Sequence, residues 1–408
     1  MRLRTGLPLW LSQIAASQKP RYPTLHGTVD ADVAVIGGGL TGAVIAQRFS
    51  EAGVRIALVD AARVGHGSTA ASTALLLQET DETFIELVKR YGEDKATRIW
   101  RLSRDSIRDL ASTLQRLGIR CEFIDRDALY YTTNRRVAPG LLTECRRRRD
   151  AGFSAKWVDG PELLAETGIQ GEGAIRSQGG AQLDPYRACC GLLRAAARCG
   201  ARIFEQSAVR QIQRSPGGVV VRTRHGSITA ESVVIATGYA QAPFAPRLRR
   251  LRLKHTYVLA TRPLTRGERI RLGLPDLLLW DTERPYHYAR WTRDHRLLLG
   301  GNDRSAVGAA QRKKAFSVGT AGLQQYFEEL LPLLKEIAIE YAWEGLFAMT
   351  PDGLPFIGPH RWYPRHLFAL GYGGNGMTFA SVAARLLLER FRGAPGPDHE
   401  LFAFNRSK

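Results

Sequence analysis

The amino-acid sequence predicts a mixed α/β fold organised around a Rossmann-like nucleotide-binding unit. Two observations lead to this prediction. Residues 33–36 form a short apolar run that ends in three consecutive glycines, and apolar residues then recur at helical spacing. A second run, residues 54–59, is rich in β-branched side chains and ends at Asp60. Strand, turn, helix and strand in this order form the first half of a dinucleotide-binding fold.

The glycine turn carries the G-x-G-x-x-G pattern at Gly37, Gly39 and Gly42. These glycines are expected to allow a tight turn, close approach of a pyrophosphate and close packing of helix on strand. The helix after Gly39 presents free N–H groups and its positive dipole end to that pyrophosphate. A glycine-rich turn in an ordinary α/β protein is the alternative. We favour a dinucleotide site because both strands, the helix and the terminal acid are present.

Asp60 lies 18 positions after Gly42, where a carboxylate can accept both hydroxyls of a ribose. An acid at this place favours a free 2′-hydroxyl, as in FAD or NAD, over NADP. The first glycine turn does not decide between FAD and NAD.

A second glycine-rich turn favours FAD. Gly371, Gly373, Gly374 and Gly376 allow the backbone to lie against a flat ligand, and the helix after Met377 aims its positive end at that place. An isoalloxazine ring, which carries negative charge near N1 and O2 when reduced, is stabilised by such a geometry. NAD does not need it.

Composition is that of a soluble globular protein, with 44% hydrophobic and 24% charged residues. The length of 408 residues predicts one large or two smaller domains. No run of 18 apolar residues occurs, so the sequence predicts no membrane span, and Pro8 and Ser12 interrupt any secretory signal. The five cysteines form no C-x-x-C pair, which predicts free thiols, a cytoplasmic location and no metal site.

The formal net charge of +19 leaves two explanations open. It could steer anionic substrates or nucleic acid, or it could reflect an arginine-rich composition, since only nine of the 58 basic residues are lysine. Many of the arginines are concentrated between Arg98 and Arg149, where they lie largely along helical patterns. We therefore favour a solvated surface over a nucleic-acid interface, without excluding the latter.

Four blocks in this order resemble the FAD-dependent D-amino-acid oxidase and glycine oxidase superfamily, near its sarcosine oxidase and γ-glutamylputrescine oxidase branches. The blocks, which together span nearly the whole chain, are DVAVIGGGLTG with Asp60, ARVGHGSTAAS (62–72), SVVIATGY (232–239), and TPDGLPFIGP (350–359) followed by GYGGNGMTFA (371–380).

The resemblance implies a Rossmann-like FAD-binding domain with an inserted antiparallel or mixed β-sheet substrate domain. We expect residues 1–80, 151–240 and 341–408 in the discontinuous FAD-binding domain, and residues 81–150 and 241–340 in the substrate-binding domain. The sheet above the flavin is expected from residues 255–302.

The resemblance also implies the cofactor site. Non-covalent FAD is expected, because Leu346 and Ala71 stand roughly where some relatives carry a cysteine and a histidine that bond the flavin. The residues implied to bind FAD are Gly37, Gly39, Leu40, Thr41, Gly42, Asp60, Ala61, Arg63, Ser68, Thr69, Ala70, Ser72, Val209, Thr237, Gly238, Gly374, Asn375, Gly376 and Met377.

Departures from the family concern the substrate. Phe347 and Gly374 stand where glycine oxidases carry two arginines that bind the substrate carboxylate. Arg290 is the candidate replacement, since a guanidinium binds a carboxylate with two parallel hydrogen bonds; the alternative is an arginine on an exposed strand. Leu298 stands where sarcosine oxidases carry a lysine that activates oxygen, so oxidase and dehydrogenase activity both stay open.

Further candidates for the catalytic pocket are Tyr257, Tyr288, Tyr372 and His255, each of which could instead be an ordinary core or surface aromatic. The resemblance implies an FAD-dependent oxidoreductase that oxidises the C–N bond of a small or medium amine or amino acid by hydride transfer to flavin N5. The electron acceptor would be oxygen, a partner protein or a quinone. The alternatives are a flavoenzyme acting on modified RNA and a subunit of a hetero-oligomeric dehydrogenase.

Overall fold

The computed structural model describes residues 4–239 and 251–406. The strands within these ranges are β1 (Arg4–Gly6), β2 (Gly27–Ile36), β3 (Ile56–Val59), β4 (Leu75–Leu76), β5 (Ile124–Thr132), β6 (Lys156–Asp159), β7 (Gly173–Gln182), β8 (Arg202–Phe204), β9 (Gln211–Ser215), β10 (Gly218–Arg222), β11 (Gly226–Gly238), β12 (Arg252–Thr261), β13 (Leu278–Asp281), β14 (His287–Trp291), β15 (Leu297–Ser305), β16 (Ile339–Met349), β17 (Phe356–His360) and β18 (Tyr363–Leu370).

The α-helices of the described residues are α1 (Leu9–Ser12), α2 (Leu40–Glu51), α3 (Ser68–Ala71), α4 (Phe84–Tyr91), α5 (Glu93–Arg116), α6 (Ala138–Asp150), α7 (Gly160–Thr167), α8 (Pro185–Arg198), α9 (Arg266–Leu272), α10 (Arg312–Leu330) and α11 (Phe379–Phe391). Three short 3₁₀ segments cover Ala16–Gln18, Pro332–Glu336 and Pro397–Phe402. Among the helices of residues 4–239 and 251–406, none combines the length and apolar character that crossing a membrane requires.

Eight strands of the described residues form the nucleotide sheet, in the order β17-β18-β11-β2-β3-β8 with the hairpin β9–β10 attached to β11. The neighbours from β18 to β8 are parallel. The helix α2 joins β2 to β3 and buries Val44, Ile45 and Phe49 in the main hydrophobic core. Adjacent parallel strands need such a crossover connection, so the predicted strand–helix–strand unit is confirmed.

Within residues 4–239 and 251–406, ten strands form the large sheet, in the order β1-β16-β12-β15-β14-β13-β5-β7-β4 with β6 paired to β7. Its pairings are antiparallel except that of β5 with β13. The helix α10 covers one face of this sheet, where Leu323 and Phe327 share a core with Tyr257 and Leu259. The fold is therefore the predicted mixed α/β class with a second, mainly antiparallel sheet.

The distribution of strands between the two sheets does not follow the predicted domain boundaries. The large sheet includes β1 and β4 from residues 1–80, β6 and β7 from 151–240, and most of β16 from 341–408, although we expect these segments in the FAD-binding domain. Alternating polarity predicts that a segment is a strand but not which strand it pairs with. The boundary predicted between residues 240 and 241 lies outside the described residues, and the domain division stays a prediction.

Candidate cofactor and substrate site

A cavity of about 1000 Å³ is lined by residues of both sheets. Its nucleotide end lies at the glycine turn after β2 and at the end of β3. Its substrate end lies under β12, β14 and β16 and beside the second glycine turn. This volume is at the upper end of the range for sites that bind small molecules and cofactors.

The first glycine turn is closed by backbone contacts. Gly37 has φ +111°, and a Cβ added there would lie 2.5 Å from the Ala236 carbonyl oxygen. A Cβ at Gly42 would lie 1.9 Å from the Gly37 carbonyl oxygen, so α2 packs on the turn itself. Gly39 precedes α2 and leaves room beside the Thr69 hydroxyl, which accepts a hydrogen bond from Leu40 N–H at 2.9 Å. The turn therefore requires glycine at 37 for its positive φ, at 39 for the space beside the Thr69 hydroxyl, and at 42 for the close packing of α2.

Asp60 closes the nucleotide end of the cavity. Its carboxylate accepts the backbone N–H groups of Gly38 and Ala62, each at 2.8 Å. Burial raises the pKa of this carboxyl, while the two N–H donors oppose that shift. The side chain is thus fixed at the end of β3, where the Rossmann fold places the acid that binds ribose hydroxyls.

The short helix α3 forms one wall of the cavity and is held by two tryptophans. The Trp10 indole N–H donates to the Ser72 carbonyl oxygen at 2.8 Å, and the Trp343 indole N–H donates to the Ala71 carbonyl oxygen at 2.9 Å. The Ser68 hydroxyl donates to the Leu346 carbonyl oxygen at 2.8 Å. The carbonyl groups at the end of α3 are satisfied in this way by the N-terminal segment and the large sheet.

The second glycine turn joins the two sheets at the substrate end. Gly371 N–H donates to the Gly238 carbonyl oxygen and Gly373 N–H to the Ala348 carbonyl oxygen, both at 2.9 Å. Gly374 N–H and the Asn375 side-chain amide donate to the carboxylate of Asp81. The turn, which precedes α11 in the chain, therefore holds the Asp81 carboxylate in a fixed position at the cavity.

The predicted cofactor residues line the cavity, with two exceptions. Gly42 lies behind the turn, where it allows the close packing of α2, and Ala70 is fully buried on the far side of α3. The geometry brings the other members of the set together from separate parts of the chain.

Arg290 does not reach the cavity. Its guanidinium is buried and donates to the backbone carbonyl oxygens of Thr73, Leu183 and Trp291, and it lies 5.1 Å from the Trp10 ring. Burial lowers the pKa of this guanidinium. The geometry therefore does not support the predicted role as a carboxylate anchor. The exposed-strand alternative is wrong as well, because the side chain is buried.

The remaining catalytic candidates divide between the two faces of the large sheet. Tyr288 and Tyr372 line the cavity, and the Tyr288 hydroxyl lies 3.0 Å from the Thr256 hydroxyl. His255 and Tyr257 flank Thr256 along β12 and do not line the cavity, because successive side chains of a strand point to opposite faces. Tyr257 instead packs under α10, and its hydroxyl has no hydrogen-bond partner among the described residues.

Sequence reasoning missed several residues of the substrate end, namely Asp81, Trp280, Arg284 and Tyr286. Tyr286 stands two positions before Tyr288, so the period of a strand could have placed both on one face. Trp280 stacks on Tyr130 with ring centroids 3.7 Å apart, and Arg284 is exposed at the cavity mouth. The segment that carries Asp81 has no sequence signal that points to a site.

A family model described as DAO, FAD dependent oxidoreductase, matches residues 32–390. The chain belongs to this family. It is 28% identical over 388 residues to the probable oxidoreductase OrdL of Haemophilus influenzae, covering 92% of this chain and 86% of that protein. It is 27% identical over 388 residues to the gamma-glutamylputrescine oxidoreductase of Escherichia coli, covering 93% of this chain and 88% of that protein.

The fold of this FAD-dependent oxidoreductase is also similar to solved structures. Glycine oxidase from Geobacillus kaustophilus superposes with a TM-score of 0.77 at 22% identity, covering 93% of this chain and 98% of that chain. At this identity the likeness is one of fold.

FAD is the cofactor of this enzyme, as predicted. The residues present fit it, because Gly37 and Gly39 leave the start of α2 free of side chains for a pyrophosphate, and Asp60 lies where a ribose would be bound. At the other end, Gly376 and Met377 line the cavity, and the N-terminus of α11 that follows them supplies a positive dipole for a flavin ring.

Proposed function

We propose that this FAD-dependent oxidoreductase oxidises the C–N bond of a small or medium amine or amino acid by hydride transfer to the flavin. The observation that supports this most directly is the composition of the substrate end. Trp280, Tyr286, Tyr288 and Tyr372 line the same cavity as Asp81. Aromatic faces and a carboxylate are the groups that recognise organic ammonium ions.

When bound, FAD supplies the hydride acceptor, and the side chains of the chain position the substrate. The rings that line the substrate end exclude water, so electrostatic interactions inside the cavity are strengthened. The hydrogen-bonded pair of Tyr288 and Thr256 fixes the orientation of one ring, because both hydroxyls are held at 3.0 Å. The positive dipole end at the N-terminus of α11 stabilises negative charge that accumulates on the cofactor.

The names of similar proteins support the same class of reaction, since they include a gamma-glutamylputrescine oxidoreductase and a glycine oxidase. The chain does not share the carboxylate anchors expected of a glycine oxidase, because Phe347 lines the cavity at one position and Gly374 at the other. The two alternatives, action on modified RNA and service as an inactive subunit of a hetero-oligomer, have no comparable support.

The test is anaerobic titration of the purified holoenzyme with a panel of amines and amino acids. We expect at least one amine to bleach the flavin absorbance, and acid denaturation to release the flavin into solution because it is bound without a covalent bond. Admission of air then shows whether oxygen or another acceptor reoxidises it. A flavin-loaded protein that no member of the panel reduces would contradict the proposal.

A further inference from the structure

Asp81 is fixed inside the substrate end by the second glycine turn. Its carboxylate accepts Gly374 N–H at 3.0 Å and the Asn375 side-chain amide at 3.0 Å. A Cβ at Gly373 would lie 1.8 Å from one carboxylate oxygen, and a Cβ at Gly374 would lie 2.8 Å from the Tyr286 hydroxyl. The two glycines therefore make room for the acid and the phenol, which occupy the space that side chains at 373 and 374 would need.

Aromatic rings and a second carboxylate stand near Asp81. Tyr286 and Tyr288 lie with ring centroids 5.9 Å apart, and both line the cavity. Asp303 is buried at 9% exposure, and among the described residues neither of its carboxylate oxygens has a hydrogen-bond partner of normal geometry. The Thr256 side chain, which does line the cavity, is close enough to lower the pKa of Asp303. The region around Asp81 and Asp303 thus contains more hydrogen-bond acceptors than the neighbouring donors satisfy.

The charges around Asp81 leave its carboxylate without an ion-pair partner among the described residues. Burial raises its pKa to about 7, Asp303 and Glu82 add to that shift, and Lys254 opposes it. Lys254 forms no ion pair with Asp81 in the described part of the chain, and Arg284 is exposed at the cavity mouth. A carboxylate that lines a cavity without a counter-ion is costly, and a cation bound beside it removes that cost.

We propose that Asp81 binds a second, non-reacting ammonium group of the substrate, so that the enzyme acts on diamines in preference to monoamines and amino acids. This inference rests on the proposed function and specifies its substrate class. A carboxylate stabilises the protonated form of an amine beside it. The amine that loses hydride must be uncharged, so the ammonium held at Asp81 is the other one.

The first test compares α,ω-diaminoalkanes with n-alkylamines of the same carbon count, using wild type, Asp81→Asn and Glu82→Gln holoenzymes. For the wild type, we expect kcat/KM to be at least about tenfold higher for the diamine, since one charged hydrogen bond discriminates by that amount. In Asp81→Asn this ratio should approach unity, because kcat/KM should fall much further for the diamine than for the monoamine. Glu82→Gln is the matched control, because it removes an adjacent negative charge that does not line the cavity.

Three outcomes would overturn the inference. One is a wild-type ratio near unity. Another is an equal loss of kcat/KM for both amines in Asp81→Asn, which would show a structural role for the acid in holding the turn. The third is an equal fall of the ratio in Glu82→Gln, which would show a general effect of charge. Amino acids of the same length serve as a further substrate class, and a preference for them over diamines would also contradict the inference.

The second test does not depend on turnover. Tetramethylammonium is permanently charged and has no neutral amine form, so the enzyme does not oxidise it. Its binding is measured by the change that it causes in flavin absorbance. Its affinity should rise as the pH increases through about 7, the pKa of Asp81, because only the ionised acid attracts it. The rise should be absent in Asp81→Asn. Binding of tetramethylammonium that depends on neither pH nor Asp81 would reject the inference, whether or not any amine reduces the flavin. If binding depends on Asp81 but no amine reduces the flavin, only the proposed reaction is rejected.

Discussion

The two ends of the cavity are built in different ways. The glycine turn and the acid of the nucleotide end come from one continuous segment, residues 32–60, which offers mainly backbone groups, glycines and one carboxylate. The substrate end brings together side chains that are distant in sequence, such as Asp81, Tyr286 and Gly374. Local backbone geometry specifies the cofactor, and tertiary assembly specifies the substrate. The two ends should therefore respond differently to substitution.

The largest effect is expected at the nucleotide end, from Gly42→Ala. The added methyl group would meet the Gly37 carbonyl oxygen at 1.9 Å, and because this is a backbone atom no side-chain rotation can relieve the clash. We expect a loss of stability of about 3 kcal/mol and a protein that purifies with little flavin. The ratio of flavin to protein absorbance and thermal unfolding measure the two effects.

Gly140→Ala is the matched control for this substitution, because a Cβ at Gly140 in α6 meets no atom within 4 Å. It should retain full flavin content and gain slightly in stability, as glycine-to-alanine changes in helices do. Normal flavin loading of Gly42→Ala would show that the turn tolerates movement and would weaken the contrast between the two ends.

An intermediate effect is expected from Arg290→Met, which removes donors to the carbonyl oxygens of Thr73 and Leu183. Leaving buried carbonyl groups unsatisfied should cost about 2 kcal/mol or more. Once corrected for the folded fraction, kcat/KM should change alike for substrates with and without a carboxylate, because the guanidinium does not line the cavity. Unfolding curves and steady-state kinetics check both parts.

Arg293→Met is the control, since this arginine is exposed in the turn after β14. It should leave stability and kinetics unchanged. A selective rise of KM for carboxylate substrates in Arg290→Met would restore the substrate-binding role that the sequence suggested, and would place the substrate end closer to β14 than its geometry indicates.

The smallest effects are expected from removing single hydroxyls on the two faces of the large sheet. Tyr288→Phe breaks the contact with Thr256 and should cost about 1 kcal/mol, seen as a severalfold lower kcat/KM. Tyr257→Phe removes a hydroxyl without a partner among the described residues and should leave kcat/KM within about twofold. Equal kinetic effects of the two changes would contradict the assignment of one face to the substrate.

The same contrast explains what could be predicted from the sequence. The strand–helix–strand unit and Asp60 follow from periodicity and local turn chemistry, and the order of the four sequence blocks indicated the family. The strand β7 has the sequence GAIRSQGGAQ, whose glycines and mixed polarity give no strand pattern, so its place in the large sheet could not be foreseen. Arg290 shows the limit for single residues, because the same side chain fits a substrate clamp or a set of backbone carbonyl groups until its neighbours are known.

The hydrogen bond from Trp343 to Ala71 has a consequence for biosynthesis. It joins residues 272 positions apart and holds the wall of the cofactor cavity. A ribosome adds roughly 5–20 residues per second, so it needs on the order of tens of seconds to pass from one partner to the other. During that interval the nascent chain contains the complete glycine turn but only an unfinished wall beside it. We therefore expect FAD to be captured late in synthesis or by the released polypeptide.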